Sequence, residues 1–188
     1  MASSMVVMVL NIFLILFSLL PYVVFSYSFS RLNLPSPAIG SDSTAFDALG
    51  QGPYTGVADG RILKYQGPNV GFQDYAFDTP NRSKAVCDGN TDPNLGNVCG
   101  RPLGIGFLRS TRQLFITDAY LGFLVAGTNG RLATPIATAA EGLPFRFTES
   151  LDVDQLSRNV FFTDASVVYN IRYFSSYSLS KINKIHYK

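Results

Sequence analysis

The residues of this chain that could do chemistry are few, and three of them close the same kind of phrase. Asp59 ends "GVAD", Asp118 sits in "LFITDAYLGFLVAG" and Asp164 in "VFFTDASVVYN". An acid there could be a base or a metal ligand. The plainer chemistry is a turn acceptor: a carboxylate at the end of an apolar run bonds the backbone amides of the turn that follows. Asp118 and Asp164 are read in that structural role. Cys87 and Cys99 are the only cysteines, and His186 is the only histidine. A zinc site is poorly served by one distant histidine. In an oxidising compartment the cysteine pair is expected as a disulfide, with a buried free dithiol as the alternative. "NRS" at 81–83 follows Pro80, which makes Asn81 a candidate N-glycosylation site in a surface turn.

The N-terminus supports that compartment. The first thirty of the 188 residues carry no charged side chain, and Met5 to Phe25 is apolar apart from Asn11, Ser18 and Pro21. Small residues follow at Ser26, Ser28 and Ser30. Residues 1–26 read as a secretory signal peptide cleaved near Ser26. An uncleaved anchor is the alternative, because ~20 apolar residues can span a bilayer. Either way the rest of the chain is expected in the secretory pathway: a vacuole or other endomembrane lumen, or outside the cell. Net charge is +2 and no Lys/Arg cluster forms a nucleic-acid footprint, so no nucleic-acid partner is expected.

The elements that must position these residues are short. Residues 27–43 form a Pro/Ser-rich lead-in. Apolar runs of four to six residues then alternate with Gly, Asp and Asn, as in Thr44–Asp47, Tyr54–Ala58 and Arg61–Tyr65. "ADGR" joins the last two, and Asp-Gly is a strong hairpin signal. The plan recurs twice more, around 103–127 and 149–170. Each copy has an apolar stretch, a polar turn, a strand ending in Asp and another strand. The step from Phe107 to Asp118 equals that from Val153 to Asp164. Repeats of several strands at ~45–60 residues point to propeller blades. An all-β sandwich of similar hairpins is the alternative. A blade cannot cover both its own faces, so it needs a neighbour on each side.

Five blocks in order carry a more specific likeness: "FDALGQGPYTGVADGRILKYQGPNVGFQDYAF", "CGRPLGIGF", "LFITDAYLGFLVAG", "LATPIATAAEGLPFRF" and "LDVD…VFFTDASVVYNIR". Together, from about Ser36 to Arg172, they resemble the plant strictosidine synthase and strictosidine synthase-like family. The resemblance implies a six-bladed β-propeller in a vacuolar or endomembrane glycoprotein. It also implies a disulfide between Cys87 and Cys99. The founding activity is a cofactor-free condensation of an amine, tryptamine, with an aldehyde, secologanin, in alkaloid biosynthesis. That chemistry needs a carboxylate base of tuned pKa, an aromatic-lined cavity for the cationic iminium and exclusion of water. The family places its catalytic Glu in late blades, beyond the stretch matched here. No catalytic residue is therefore assigned to this chain.

The sequence departs from the family at "PFRFTESLDVD". Synthases look to read F-K-W-L-Y here, so Phe147 keeps an aromatic where Trp would sit and Glu149 replaces the second one. Phe147 and Glu149 are the substrate-pocket candidates. Synthase-like relatives read R-F-T-N-D-L-D, whose Asn resembles a lactonase-type metal ligand. Glu149 is still an oxygen donor for a hard cation, but a solvated turn carboxylate is the plainer reading, and no metal site is assigned. After Arg172, the basic stretch "YFSSYSLSKINKIHYK" does not resemble the next blade, and 173–188 is read as a divergent basic tail, with a divergent final strand as the alternative. The expectation is an all-β fold: an incomplete propeller of about three blades over 44–172, following a signal helix. It would be inactive by itself, with open blade faces able to self-associate. A complete form would take a small-molecule substrate. The alternatives are a metal-dependent lactonase or esterase propeller, or a non-catalytic fragment paired with another chain.

Overall fold

The structure is a computed structural model that describes residues 2–18, 29–176 and 183–187. The chain divides into two compact units, 1–33 and 34–188. The first holds α1 (Ala2–Ser18), which runs unbroken because no Pro or Gly interrupts it. Among the described residues no helix is long and apolar enough to cross a membrane. The expected cleavage position near Ser26 lies outside the described residues.

The second unit is built from strands, as expected. Blade 1 comprises β1 (Thr44–Ala45), β2 (Tyr54–Gly56), β3 (Arg61–Tyr65) and β4 (Phe72–Phe77). Blade 2 comprises β5 (Pro102–Leu108), β6 (Gln113–Asp118), β7 (Gly122–Gly127) and β8 (Gly130–Ala137). A small ribbon, β9 (Ala139–Ala140) and β10 (Leu143–Pro144), leads to blade 3. That blade has β11 (Thr148–Val153), β12 (Val160–Asp164) and β13 (Asn183–Tyr187). Within each blade sequential strands pair antiparallel. The outer strands β4 and β8 pair in parallel at Ala76↔Arg131 and Phe77↔Leu132, which joins blades 1 and 2 into one eight-stranded sheet. The architecture is an incomplete β-propeller of three blades.

The blades stack through their side chains. Tyr54 and Ile62 of blade 1 pack against Phe107, Leu114, Ile116 and Leu124 of blade 2. On the other side of β6, Phe115 meets Phe123, Val153, Val160 and Phe162. The Phe123 and Phe162 rings stack with centroids 4.7 Å apart. Blade 2 is thus buried on both faces, so β6 reads as a continuous apolar run and not as an alternating one. Where the first strands converge, glycine makes room. A Cβ at Gly104 would lie 2.3 Å from Thr117 Oγ1 and 2.4 Å from the Glu149 carbonyl oxygen. The "GIG" of β5 therefore seats β11 against its backbone.

The blade 1 end face differs from the expectation of an open apolar surface. On blade 1 the lead-in covers the free face: Leu34 and Ala38 pack on Val57, Leu63 and Phe72. The Ala58 amide also donates to the Ile39 carbonyl at 2.9 Å. On blade 3 the side opposite Val160 and Phe162 presents Ser150, Asp152, Thr163 and the exposed Phe161. The stretch read as a tail also contributes to the sheet, because 183–187 pairs with β12 from Val160↔Tyr187 to Asp164↔Asn183. The intervening 177–182 lie outside the described residues.

Candidate functional site

A cavity of about 380 Å³ opens where four segments meet: the lead-in, the 90–101 loop, the turn after β6 and the turn of 3-10 helix at Ile171–Ser176. Its polar lining includes Asn90, Asp92, Arg101, Tyr120 and Arg172.

The loop over it is held in three ways. Cys87 and Cys99 are disulfide-bonded and join α2 (Lys84–Cys87) to α3 (Gly96–Cys99), so the free dithiol is overturned. Asp92 caps the turn at Pro93–Leu95 by accepting from the Asn94 amide at 2.8 Å. A buried charge network then clamps the loop to blade 1. Arg61 forks onto Asp59, with Nε to Oδ1 at 2.9 Å and Nη2 to Oδ2 at 2.6 Å. Its other arm reaches Asp74 at 3.1 Å. Arg82 joins Asp88 to this cluster and donates to the Asp59 carbonyl at 3.1 Å, while the Gly89 amide bonds Asp59 Oδ2 at 2.8 Å. Burial pushes Asp59 up, but Arg61, the Gly89 amide and Arg82 outweigh it and hold it below the ordinary carboxylate value. Such a network is costly to break at one member, because the orphaned partner stays buried. Asn81 lies in the exposed turn just before it.

The repeated Asp residues divide. Asp118 Oδ1 accepts from the Tyr120 and Leu121 amides at 2.8 and 2.9 Å, and Oδ2 accepts from the Arg101 amide. Asp164 accepts from the Phe147 amide at 2.6 Å and from Arg146 at 3.3 Å. Burial is the main influence on Asp164 and raises it despite those amides. Asp118 is the turn acceptor the sequence suggests; Asp164 bonds Ser166 in the following turn but mainly ties back to the strand entry at Arg146 and Phe147, 17 to 18 residues upstream. Asp59 instead serves arginine.

Tyr120 is the wall residue the sequence did not single out. Its ring is seated on Gly96, where a Cβ would come within 2.3 Å of ring carbons. It lines both the large cavity and a second one of about 220 Å³ that also touches Phe145, Arg146 and Asn170. Burial, above all, raises its phenol. Arg172 ties the 171–176 turn to the loop, donating to the Pro93 carbonyl at 2.8 Å and to that of Asn94 at 3.3 Å. Arg101 Nε is buried with no hydrogen-bond partner. The adjacency to Cys99 in "CGRP" and the acid-turn-aromatic order in "TDAY" were the available signals for Arg101 and Tyr120.

Phe147 and Glu149 lie one step away. Phe147 packs with Leu103, Ala119 and Ala165 beneath Tyr120 and Ile171, so it supports the cavity wall without lining it. Phe147→Ala is expected to cost about 3 kcal/mol and to loosen Tyr120; a urea midpoint measured with Tyr fluorescence checks both. Glu149 is half-buried at the bulge of β11, and its carbonyl accepts from Thr117 Oγ1. Among the described residues no three His, Cys, Asp or Glu side chains are grouped to hold a metal ion.

No family model matches the chain. Curated relatives do. Strictosidine synthase-like protein 10 of Arabidopsis thaliana is 49% identical over 137 residues, covering 73% of this chain and 36% of the relative. Strictosidine synthase of Catharanthus roseus is 37% identical over 140 residues, covering 74% and 40%. The chain belongs to the strictosidine synthase and strictosidine synthase-like family. Strictosidine synthase-like protein 3 of Arabidopsis thaliana adds 45% identity over 151 residues, covering 77% and 37%. This strictosidine synthase-like chain thus spans 36 to 40% of the length of these relatives.

Proposed function

We propose that this chain supplies three blades and the covering loop of a small-molecule site in a strictosidine synthase-like protein of the endomembrane lumen. It is related to enzymes that condense an amine with an aldehyde. The chain by itself binds but does not catalyse. One observation carries this reading: among the described residues the acid that lines the cavity, Asp92, caps a turn of the covering loop through Oδ1. Asp59 is bound by arginine, and Asp118 and Asp164 by amides. A base must reach the proton it removes. The Arg101 guanidinium and the Tyr120 ring line the cavity and are the binding groups, one for a ligand oxygen and one for an apolar or cationic face. Phe147 and Glu149 remain pocket candidates through the wall and the first strand of blade 3. The apolar N-terminus, Asn81 and the disulfide support a secreted, glycosylated protein, and no cofactor is invoked.

The test is direct. Purified protein incubated with tryptamine and secologanin and followed by mass spectrometry is expected to give no condensation product above the protein-free blank. Product above that blank overturns the inactive reading. An endoglycosidase shift that is lost in Asn81→Gln checks the luminal assignment.

A further inference from the structure

Asp78 follows β4 at the end of blade 1 and is 2% exposed; Asp118 ends β6 of blade 2 and is fully buried. Both side chains flank Gly100. A Cβ there would lie 2.8 Å from Asp118 Oδ2, 3.0 Å from Asp78 Cβ and 3.4 Å from Asp78 Oδ2. The two carboxyls are treated very differently. Asp118 accepts three backbone amides, from Arg101, Tyr120 and Leu121. Neither oxygen of Asp78 receives a hydrogen bond from any donor. Two buried carboxyls side by side cannot both stay charged, and the proton goes to the one without donors. We propose that Asp78 is a carboxylic acid in the folded protein, that its O–H donates to Asp118, and that this shared proton is a pH-sensitive lock between blades 1 and 2.

A bound cation is the other way to neutralise such a pair. Here Asp118 has both oxygens committed to amides, leaving only Asp78 to ligate, which is too few donors for a hard cation. The charged groups around Asp78 are Asp118, Arg82 in the following turn, and Arg101 beyond Gly100. Asp59 lies on the adjacent turn and is bound by Arg61 and Arg82. Burial is the largest influence on Asp78, followed by the charge of Asp118 and the hydrogen bond to it. Arg82 pulls the other way, and the carboxyl stands well above its ordinary value.

The sign follows from linkage. Asp78 has an ordinary value of ~3.9 in the unfolded chain. The stability it adds is fully present below that value and is lost as pH rises through the raised folded one. Asp164 is raised and drains in the same direction. Asp47 and Asp59 are held low, so their contributions fade only on acidification below ~4. Several groups titrate across this range, so the decisive quantity is a difference between variants.

In Asp78→Asn an amide N–H₂ takes over the donation to Asp118 and has no proton to lose. Thermal melts of the purified protein from pH 5 to pH 8 are expected to show Tm falling in the wild type, with the fall at least halved in Asp78→Asn. An unchanged slope in the variant overturns the proposal. Should Asp78→Asn fail to fold, infrared spectroscopy of the wild type decides. A buried protonated carboxyl band at pH 5 to 6 that fades as pH is raised is the expected result, and absence of that band at pH 5 to 6 overturns the lock.

Discussion

Gly60→Ala is expected to destabilise the second unit by more than about 4 kcal/mol, the range reserved for a few named mechanisms. Two of those act together here. Gly60 has φ +83°, where an L side chain costs about 1–2 kcal/mol. A Cβ there would also lie 1.5 Å from the Cys99 carbonyl oxygen and 2.5 Å from its carbon. Those atoms are backbone, held by the disulfide, and have no rotamer to escape into. The Ala58–Gly60 turn must then part from the 96–100 loop. The same turn takes the Asp78 amide on the Gly60 carbonyl at 3.3 Å, so the junction of blade 1 with the loop opens as a unit. A Tm lowered by ~10 °C or more is the expected reading for a unit of this size. A loss under 1 kcal/mol would mean that the turn does not approach Cys99 this closely.

Asp118→Ala is expected to cost about 3–5 kcal/mol, the second largest effect. It leaves the amides of Arg101, Tyr120 and Leu121 without their acceptor in a buried site, and each unsatisfied donor costs about 1–3 kcal/mol before relaxation or water entry. Asp118→Asn retains one acceptor oxygen and is expected to lose roughly half as much. Hydrogen exchange at Tyr120 and Leu121 should accelerate in both variants, while exchange in β3 changes least. If Asp118→Ala melts like the wild type, the carboxylate is not what closes the turn. The repeated phrase of the sequence would then need another cause.

The two results bear on different layers of the molecule. Asp118 orders its own turn, a matter of residues two and three positions away. Gly60 and Cys99 are 39 positions apart and meet only because blade 1 and the disulfide loop are assembled. Legibility in the sequence follows the same division. Asp118 was readable as a turn acceptor, and Asp-Gly as the turn between β2 and β3, because local hydrogen-bond geometry decides both; the tie of Asp164 to Arg146 and Phe147 spans 17 to 18 residues and was not. The blade order was readable because each copy repeats it. Asp59 was not separable from its two counterparts. Its partner Arg61 is local, but Arg82 and Gly89 are brought to it by the loop.

Three features escaped for physical reasons. The lead-in covers blade 1 because Leu63 and Ile62 are buried on opposite faces of β3, and a contiguous apolar run does not say what lies on either side. Residues 183–187 join blade 3 through backbone pairing, which asks little of side-chain identity. The cavity takes Arg101 and Arg172 from places 71 residues apart, and nothing local marks them as neighbours.

The amino-acid order alone therefore determined the strands, their turns, the threefold repeat and the family, because each rests on short-range pattern or on likeness along the chain. It also narrowed the cysteines to a pair without stating that they are bonded. Tertiary structure decided which acids are paired with arginine, which with amides and which with neither, and where a ligand would fit. Burial and the approach of distant groups set those properties, and both exist only once the blades have stacked.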